Sequence, residues 1–215
     1  MRNLLLLRPE PGLSASADRA RALGIEVICC PLFRVEPSCW DVPDPADYDG
    51  LLLTSANAVR HAGPGLDQLK KLPVHAVGKA SADAAHGAGL QVETIGSGNV
   101  ADLLKALPST LCLLHLAGED FRMPGDAKVD RRIVYRAAAI ASPELPPLDG
   151  MVVAVHSPRA GARLAELAGN RGGAMVAAIS REAADACGTG WEGVEIAGRA
   201  DDNSLLALAA MLCQT

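Results

Sequence analysis

The sequence predicts an α/β chain made of two similar parallel-sheet domains, and three observations carry that expectation. Short apolar runs alternate with Ala-rich helical stretches, the pattern of βα units around a parallel sheet. Aromatic residues are only 3% of the 215 residues, so the core must be built from Ala, Leu and Val, which suits helices packed on such a sheet. The second half also repeats the first at a constant offset of 102 residues.

Taken in order, "NLLLLR" reads as the first strand. "SASADRARALG" follows as a helix, with Ser14 as its N-cap and Gly24 just past its end. "IEVICCPLF" reads as one further strand. "GLLLTS", "PVHAVG", "LCLLHLAG", "GMVVAVHS" and "AMVAAIS" then read as strands that lead towards helix-compatible sequence. The repeat sets Leu51 on Val153, Ser55 on Ser157 and "VGKASADAA" on "ISREAADAC". It continues through Gly96 on Gly198 and Leu103-Leu104 on Leu205-Leu206, and backwards it sets "LFR" on "VYR". "LLLLRPEPG" resembles "CLLHLAGED" only at another offset, and "FRMPGDAKVD" is too short to mirror the first helix, so a helix there is reduced or lost. The Pro- and Asp-rich stretches "FRVEPSCWDVPDPADYDG" and "YRAAAIASPELPPLDG" read as two equivalent connectors.

Hydrophobic residues are 49% of the chain and charged residues 21%, a balance that builds a core and does not fit disorder. A net charge of −5 gives no electrostatic reason to expect nucleic acid, but a local cluster of arginines could still take an anionic small molecule. The apolar run in "MRNLLLLRPEPG" is too short for a signal peptide or a membrane span, so a soluble, cytoplasmic protein without a membrane partner is expected. A monomer is expected as well. Six cysteines show no C-x-x-C pair and no zinc-like spacing with histidine. They read as buried thiols in a reducing compartment, with no metal site.

In open α/β sheets, ligands bind where strands end and helices begin, because helix N-termini present N–H groups and partial positive charge there. Thr54, Ser55 and Asn57 sit at one such edge, and Ser157 with Pro158 at its repeat. Both serines could be plain N-caps; their duplication is what favours a ligand. Gly78, Gly96 and Ser81 mark further strand-end turns. No P-loop, dinucleotide fingerprint or nucleophile elbow is present. His75, His115 and His156 lie within strands and read as structural. Arg8, Arg34 and Arg136 end strands, Arg60 and Arg159 lie on helices, and Arg122, Arg131 and Arg132 surround the shortened segment. Several of them around one cleft would suit a polycarboxylate, since guanidinium matches carboxylate in two hydrogen bonds. Tyr135 stands beside Arg136, with core packing and ligand contact both open to it.

The ordered set "LLLTSANAVR", "AVGKASADAAHGAGLQVETIGSGNVADLLKAL", "LHLAGED", "RRIVYRA" and "VVAVHSPRAGARLAEL" resembles the uroporphyrinogen-III synthase family over nearly the whole chain. The resemblance implies two α/β domains joined by a two-stranded linker. Residues 1–34 and 138–215 would form a discontinuous first domain and residues 35–137 the second, with a cleft between them. It implies a cyclising hydro-lyase of tetrapyrrole and haem biosynthesis that needs no metal and no cofactor. The substrate would be hydroxymethylbilane, closed with inversion of ring D and loss of water. By that resemblance Tyr135 becomes a weak acid for the departing hydroxyl. Arg8, Thr54, Ser55, Asn57, Gly78, Ser81, Gly118 and Ser157 become substrate-binding. The family's Gly-x-x-Thr-like turn is absent from the second copy, where "ISREAAD" has Ser180 for glycine and Ala183 for the hydroxyl. A two-lobed ligand-binding or regulatory module without turnover is the alternative.

Overall fold

Leu4 to Leu7, Leu51 to Leu53 and Val152 to Val155 are fully buried, and these continuous apolar runs are the centres of two parallel sheets covered on both faces. The computed structural model describes residues 1–120 and 129–214. Its elements in chain order begin with β1 (Asn3–Leu6), α1 (Gly12–Ala22), β2 (Val27–Cys29) and β3 (Phe33–Pro37). There follow β4 (Gly50–Leu53), α2 (Ala56–His61), α3 (Gly65–Gln68), β5 (Val74–Val77), α4 (Lys79–Gly87), β6 (Val92–Gly96), α5 (Val100–Ala106), β7 (Leu113–Gly118) and β8 (Val129–Ala139). The chain closes with β9 (Met151–Val155), α6 (Pro158–Leu167), β10 (Met175–Ala178), α7 (Arg181–Ala186), β11 (Gly193–Ile196) and α8 (Asp202–Gln214).

The chain divides into two compact units, Met1–Arg34 with Ala138–Thr215, and Val35–Ala137. One sheet has the order β11-β10-β9-β1-β2 and the other β3-β8-β7-β4-β5-β6. Reversed, the second begins β6-β5-β4-β7-β8, so β9, β10, β11, β1 and β2 correspond to β4, β5, β6, β7 and β8. This is the duplication seen in the sequence, and it explains why β1 matched β7 only at another offset. In the first unit α1 and α8 cover Leu4, Leu6, Val152 and Ala154. In the second, α2, α3 and α4 cover Leu51, Leu53, Val74, Leu114 and Leu116, while α5 packs on Leu52 from the opposite face.

Three local readings change. Helix α1 starts at Gly12 behind Pro11, and Ser14 lies inside it. The Glu10 carboxylate accepts from the Ser14 amide at 3.1 Å and from its hydroxyl at 2.7 Å, so a carboxylate in place of Ser14 satisfies that end. Gly24 does close the helix, with φ of +77°. "IEVICCPLF" is two strands, because Pro31 has no amide for a ladder and β2 and β3 belong to different sheets. The two connectors begin as strands: Ser38 N–H donates to Val134 and Ile140 N–H to Leu32, so β3 and β8 run antiparallel and carry the chain between the units. The expected helix loss at residues 121–128, and Arg122, lie outside the described residues.

His75 and His115 share a sheet row with Leu52, are almost fully buried, and face α5. Burial, helped by the charge of Arg131, lowers the pKa of His115 to about 4, and burial also lowers that of His75. Between about pH 6.5 and about 4 the unfolded chain therefore binds more protons than the folded one. Stability should be complete above that window and fall across it, by up to roughly 3 kcal/mol for His115. Denaturant midpoints measured from pH 7 to pH 4 check this, and His115→Gln should flatten the dependence. At Gly161 of α6, an added Cβ would stand 2.7 Å from the Ala183 carbonyl oxygen of α7 and 3.1 Å from Cys187 Sγ. Gly161→Ala should cost about 1–3 kcal/mol through overpacking. Gly169→Ala, which meets nothing within 4 Å, should cost less in the same unfolding titration.

Candidate active site

Each unit gathers its polar side chains at the carboxyl ends of its strands. In the second unit β4 delivers Thr54 and Ser55 to the start of α2. Ser55 has extended φ and ψ, and its hydroxyl accepts from the Asn57 amide at 3.2 Å. Thr54 Oγ1 lies 3.0 Å from His115 Nε2, so a histidine that stays neutral fixes the threonine hydroxyl. Asn57 Oδ1 accepts from Arg60. Gly78 opens α4 with φ of +78° and donates its amide to Gly96, a conformation that a side chain would strain. Ser81 is buried within α4, whereas Ser55 and Ser157 are half-buried at their edges. Its hydroxyl is therefore the least accessible of the three.

Tyr135 sits opposite Gly118 where β7 and β8 slip register. A Cβ on Gly118 would stand 2.6 Å from Tyr135 Cζ and 2.8 Å from its hydroxyl oxygen. Glycine is thus the residue that leaves room for the phenol, and the tyrosine backbone is pinned by the Glu119 amide at 3.0 Å. The His61 ring packs beside it, centroids 6.2 Å apart and tilted by 37°.

In the first unit Ser157 caps α6, accepting from the Ala160 amide at 3.1 Å, with Pro158 in the first turn. Ser180 does the same for α7, and Ala183 is buried in the packing. The dominant feature is a carboxylate the sequence reading did not single out. Asp202 opens α8, and its Oδ1 accepts from Arg8 Nη1 at 2.8 Å, Ser16 Oγ at 2.8 Å and His156 Nε2 at 2.7 Å. Arg19 donates to Oδ2. Burial alone would push this carboxyl up, but the hydrogen bonds from His156, Ser16 and Arg19 outweigh it and hold it well below the usual carboxylate range. The acidic pair Asp201-Asp202 at a helix start was the available signal.

Several of these arginines have local partners. Arg136 pairs with Glu36 at 2.6 Å, Arg132 with Asp130, and the Arg159 guanidinium lies 4.7 Å from the Phe33 ring centre. Local partners thus hold much of the basic charge that a polycarboxylate cleft was expected to use. No helix among the described residues is long and apolar enough to cross a membrane.

A sequence model of the family "Uroporphyrinogen-III synthase HemD" matches residues 14–207. No curated protein sequence gives a significant match. The fold is similar to that of a uroporphyrinogen-III synthetase from Helicobacter pylori 26695, with TM-score 0.70 and 16% identity over 99% of this chain and 100% of that one. A mutant uroporphyrinogen III synthase from the extremely thermophilic bacterium Thermus thermophilus gives TM-score 0.50 and 19% identity, again over 99% and 100%. The family is one of enzymes, which supports catalysis over the ligand-binding module without turnover. With nine-tenths of its length matched by the family model, the chain belongs to the uroporphyrinogen-III synthase HemD family, the cyclising hydro-lyases of porphyrin and haem biosynthesis.

Proposed function

We propose that this chain converts hydroxymethylbilane to uroporphyrinogen III through the strand edges described above, with Tyr135 as the acid. The observation that supports this reading best is the family match along residues 14–207. Protonation lets the terminal hydroxyl leave as water and the adjoining pyrrole N–H gives up its proton, which makes an electron-poor azafulvene. The substituted α-carbon of ring D then attacks the azafulvene methylene to give a spiro intermediate. The bond from that carbon to its bridging methylene breaks to leave a second azafulvene, and the free α-carbon of ring D attacks that methylene and loses its proton, so no protein nucleophile is consumed. The enzyme's task is to hold a flexible chain so that the substituted carbon of ring D, and not its free one, meets the azafulvene first, which is a matter of positioning.

Tyr135 suits the acid role because a phenol can donate to a departing hydroxyl. Its seat over Gly118 fixes where that donor points. Thr54, Ser55, Asn57 and Ser157 offer hydroxyl and amide groups, and Gly78 the open start of α4, to acetate and propionate groups. Ser81 contributes less, being buried. Arg8 supplies positive charge at the edge of the first unit. We read the chain as cytoplasmic, with a small polycarboxylate substrate and neither nucleic acid nor membrane as partner.

Freshly prepared hydroxymethylbilane incubated with the protein should yield the type III isomer; the type I isomer alone would overturn the reading. Tyr135→Phe should lower kcat by about 10²-fold or more, with a smaller change in KM. Gly118→Ala, which retains the phenol but displaces it, should lower kcat in the same direction at little cost in melting temperature. Unchanged kcat in both variants would remove Tyr135 from the chemistry.

A further inference from the structure

Arg8 is held by two helices of the first unit, α1 and α8. Its Nη1 donates to Ser16 Oγ at 2.9 Å and to Asp202 Oδ1 at 2.8 Å. The side chain is 29% exposed and is held at Nη1. The remaining donors, Nε and Nη2, have no partner among the described residues. Those two N–H groups form the fork that matches a carboxylate in two parallel hydrogen bonds.

Gly12, the first residue of α1, completes the seat. A Cβ there would stand 2.5 Å from Arg8 Nε, 2.6 Å from Nη2 and 2.7 Å from Cζ. No side chain fits at that distance, so the guanidinium lies against the opening of α1 only because residue 12 is glycine. The Asp202 carboxylate holds the opposite end, and it is fixed in turn by His156 from the end of β9 and by Arg19 from α1. A carboxylate oxygen can only accept, so the His156 proton on this contact is on Nε2. Two arginines facing one carboxylate leave positive charge in excess, which an anionic ligand group can meet.

We infer that Asp202 and Gly12 are positioning residues for substrate: together they hold the Arg8 guanidinium with its Nε/Nη2 fork presented to a carboxylate of the linear tetrapyrrole. The inference deepens the proposed function and rests on it. Asp202 does not touch substrate; it acts through Arg8. In the absence of Asp202, Arg8 retains its charge and loses its fixed direction, so the loss falls on substrate capture more than on the chemical step.

The test compares Arg8→Gln, Asp202→Asn and Gly12→Ala in steady-state turnover of hydroxymethylbilane, with the isomer of the product identified. Arg8→Gln should raise KM about tenfold or more, the effect of removing a charged hydrogen-bonded pair, with a smaller change in kcat. Asp202→Asn and Gly12→Ala should each raise KM by about threefold to tenfold. Neither should raise KM further when combined with Arg8→Gln, because all three act through one guanidinium. Gly12→Ala removes no charge and no hydrogen bond, so it decides the matter if Asp202→Asn fails to fold. Wild-type KM in Gly12→Ala and Asp202→Asn, or effects that add to that of Arg8→Gln, would overturn the positioning role while leaving the enzyme reading intact. Unchanged KM in Arg8→Gln would overturn it by removing Arg8 from the site. A wild-type chain that yields only the type I isomer would fail the enzyme reading itself, and this inference with it.

Discussion

Parallel strands covered on both faces admit almost no polar side chain along their length, and the organisation of both units follows from that constraint. Leu4, Leu5, Leu6 and Leu7 are fully buried in succession, as are Leu51, Leu52 and Leu53. An unpaired polar group placed among them would lose its water without compensation. The exceptions are instructive. His75 and His115 are tolerated because they stay neutral, and the second reaches a hydroxyl partner in Thr54. Thr54, Ser55, Ser157 and His156 instead stand where strands end. There the chain must also turn and start a helix, so hydroxyl caps and glycine turns collect at the same places.

The same constraint accounts for how charge is handled. A carboxylate at the edge of the first sheet keeps its ionised form because donors from several elements meet it. Arg8 follows β1, Ser16 and Arg19 lie on α1, His156 follows β9, and Asp202 itself opens α8. At the second unit's edge there is no counterpart of this hub among the described residues. Tyr135 and neutral hydroxyls stand there instead. The duplicated scaffold therefore carries unlike edges, a charged one and a hydroxyl-rich one.

Missing side chains matter as much as present ones. Gly118 leaves room for the phenol of Tyr135, Gly12 for the guanidinium of Arg8, and Gly161 for the carbonyl of Ala183 on the neighbouring helix. None of these is a turn glycine with positive φ. Their reason is close approach, and a methyl group at any of them would stand closer than 3 Å to a neighbouring atom.

Local pattern was enough to place most strands and helices, because burial on both faces writes itself as an unbroken apolar run and a helix start as a serine or a glycine turn. The repeat was legible for the same reason: Ser55 and Ser157 solve one capping problem twice, and the matching strand order of the two sheets is its consequence. The resemblance carried by the ordered motifs gave the family. The tertiary structure alone decided what lies beyond the reach of neighbours in the chain. Pro31 divides one apolar run between two sheets, which composition does not distinguish from a single strand. Asp202 meets Arg8 across 194 residues and His156 across 46. Gly118 and Tyr135 face each other only through the pairing of β7 with β8. Periodicity records which face of an element is buried. The partner it meets there is set by the packing of separate elements, and that packing is what brought dispersed polar residues together within each unit.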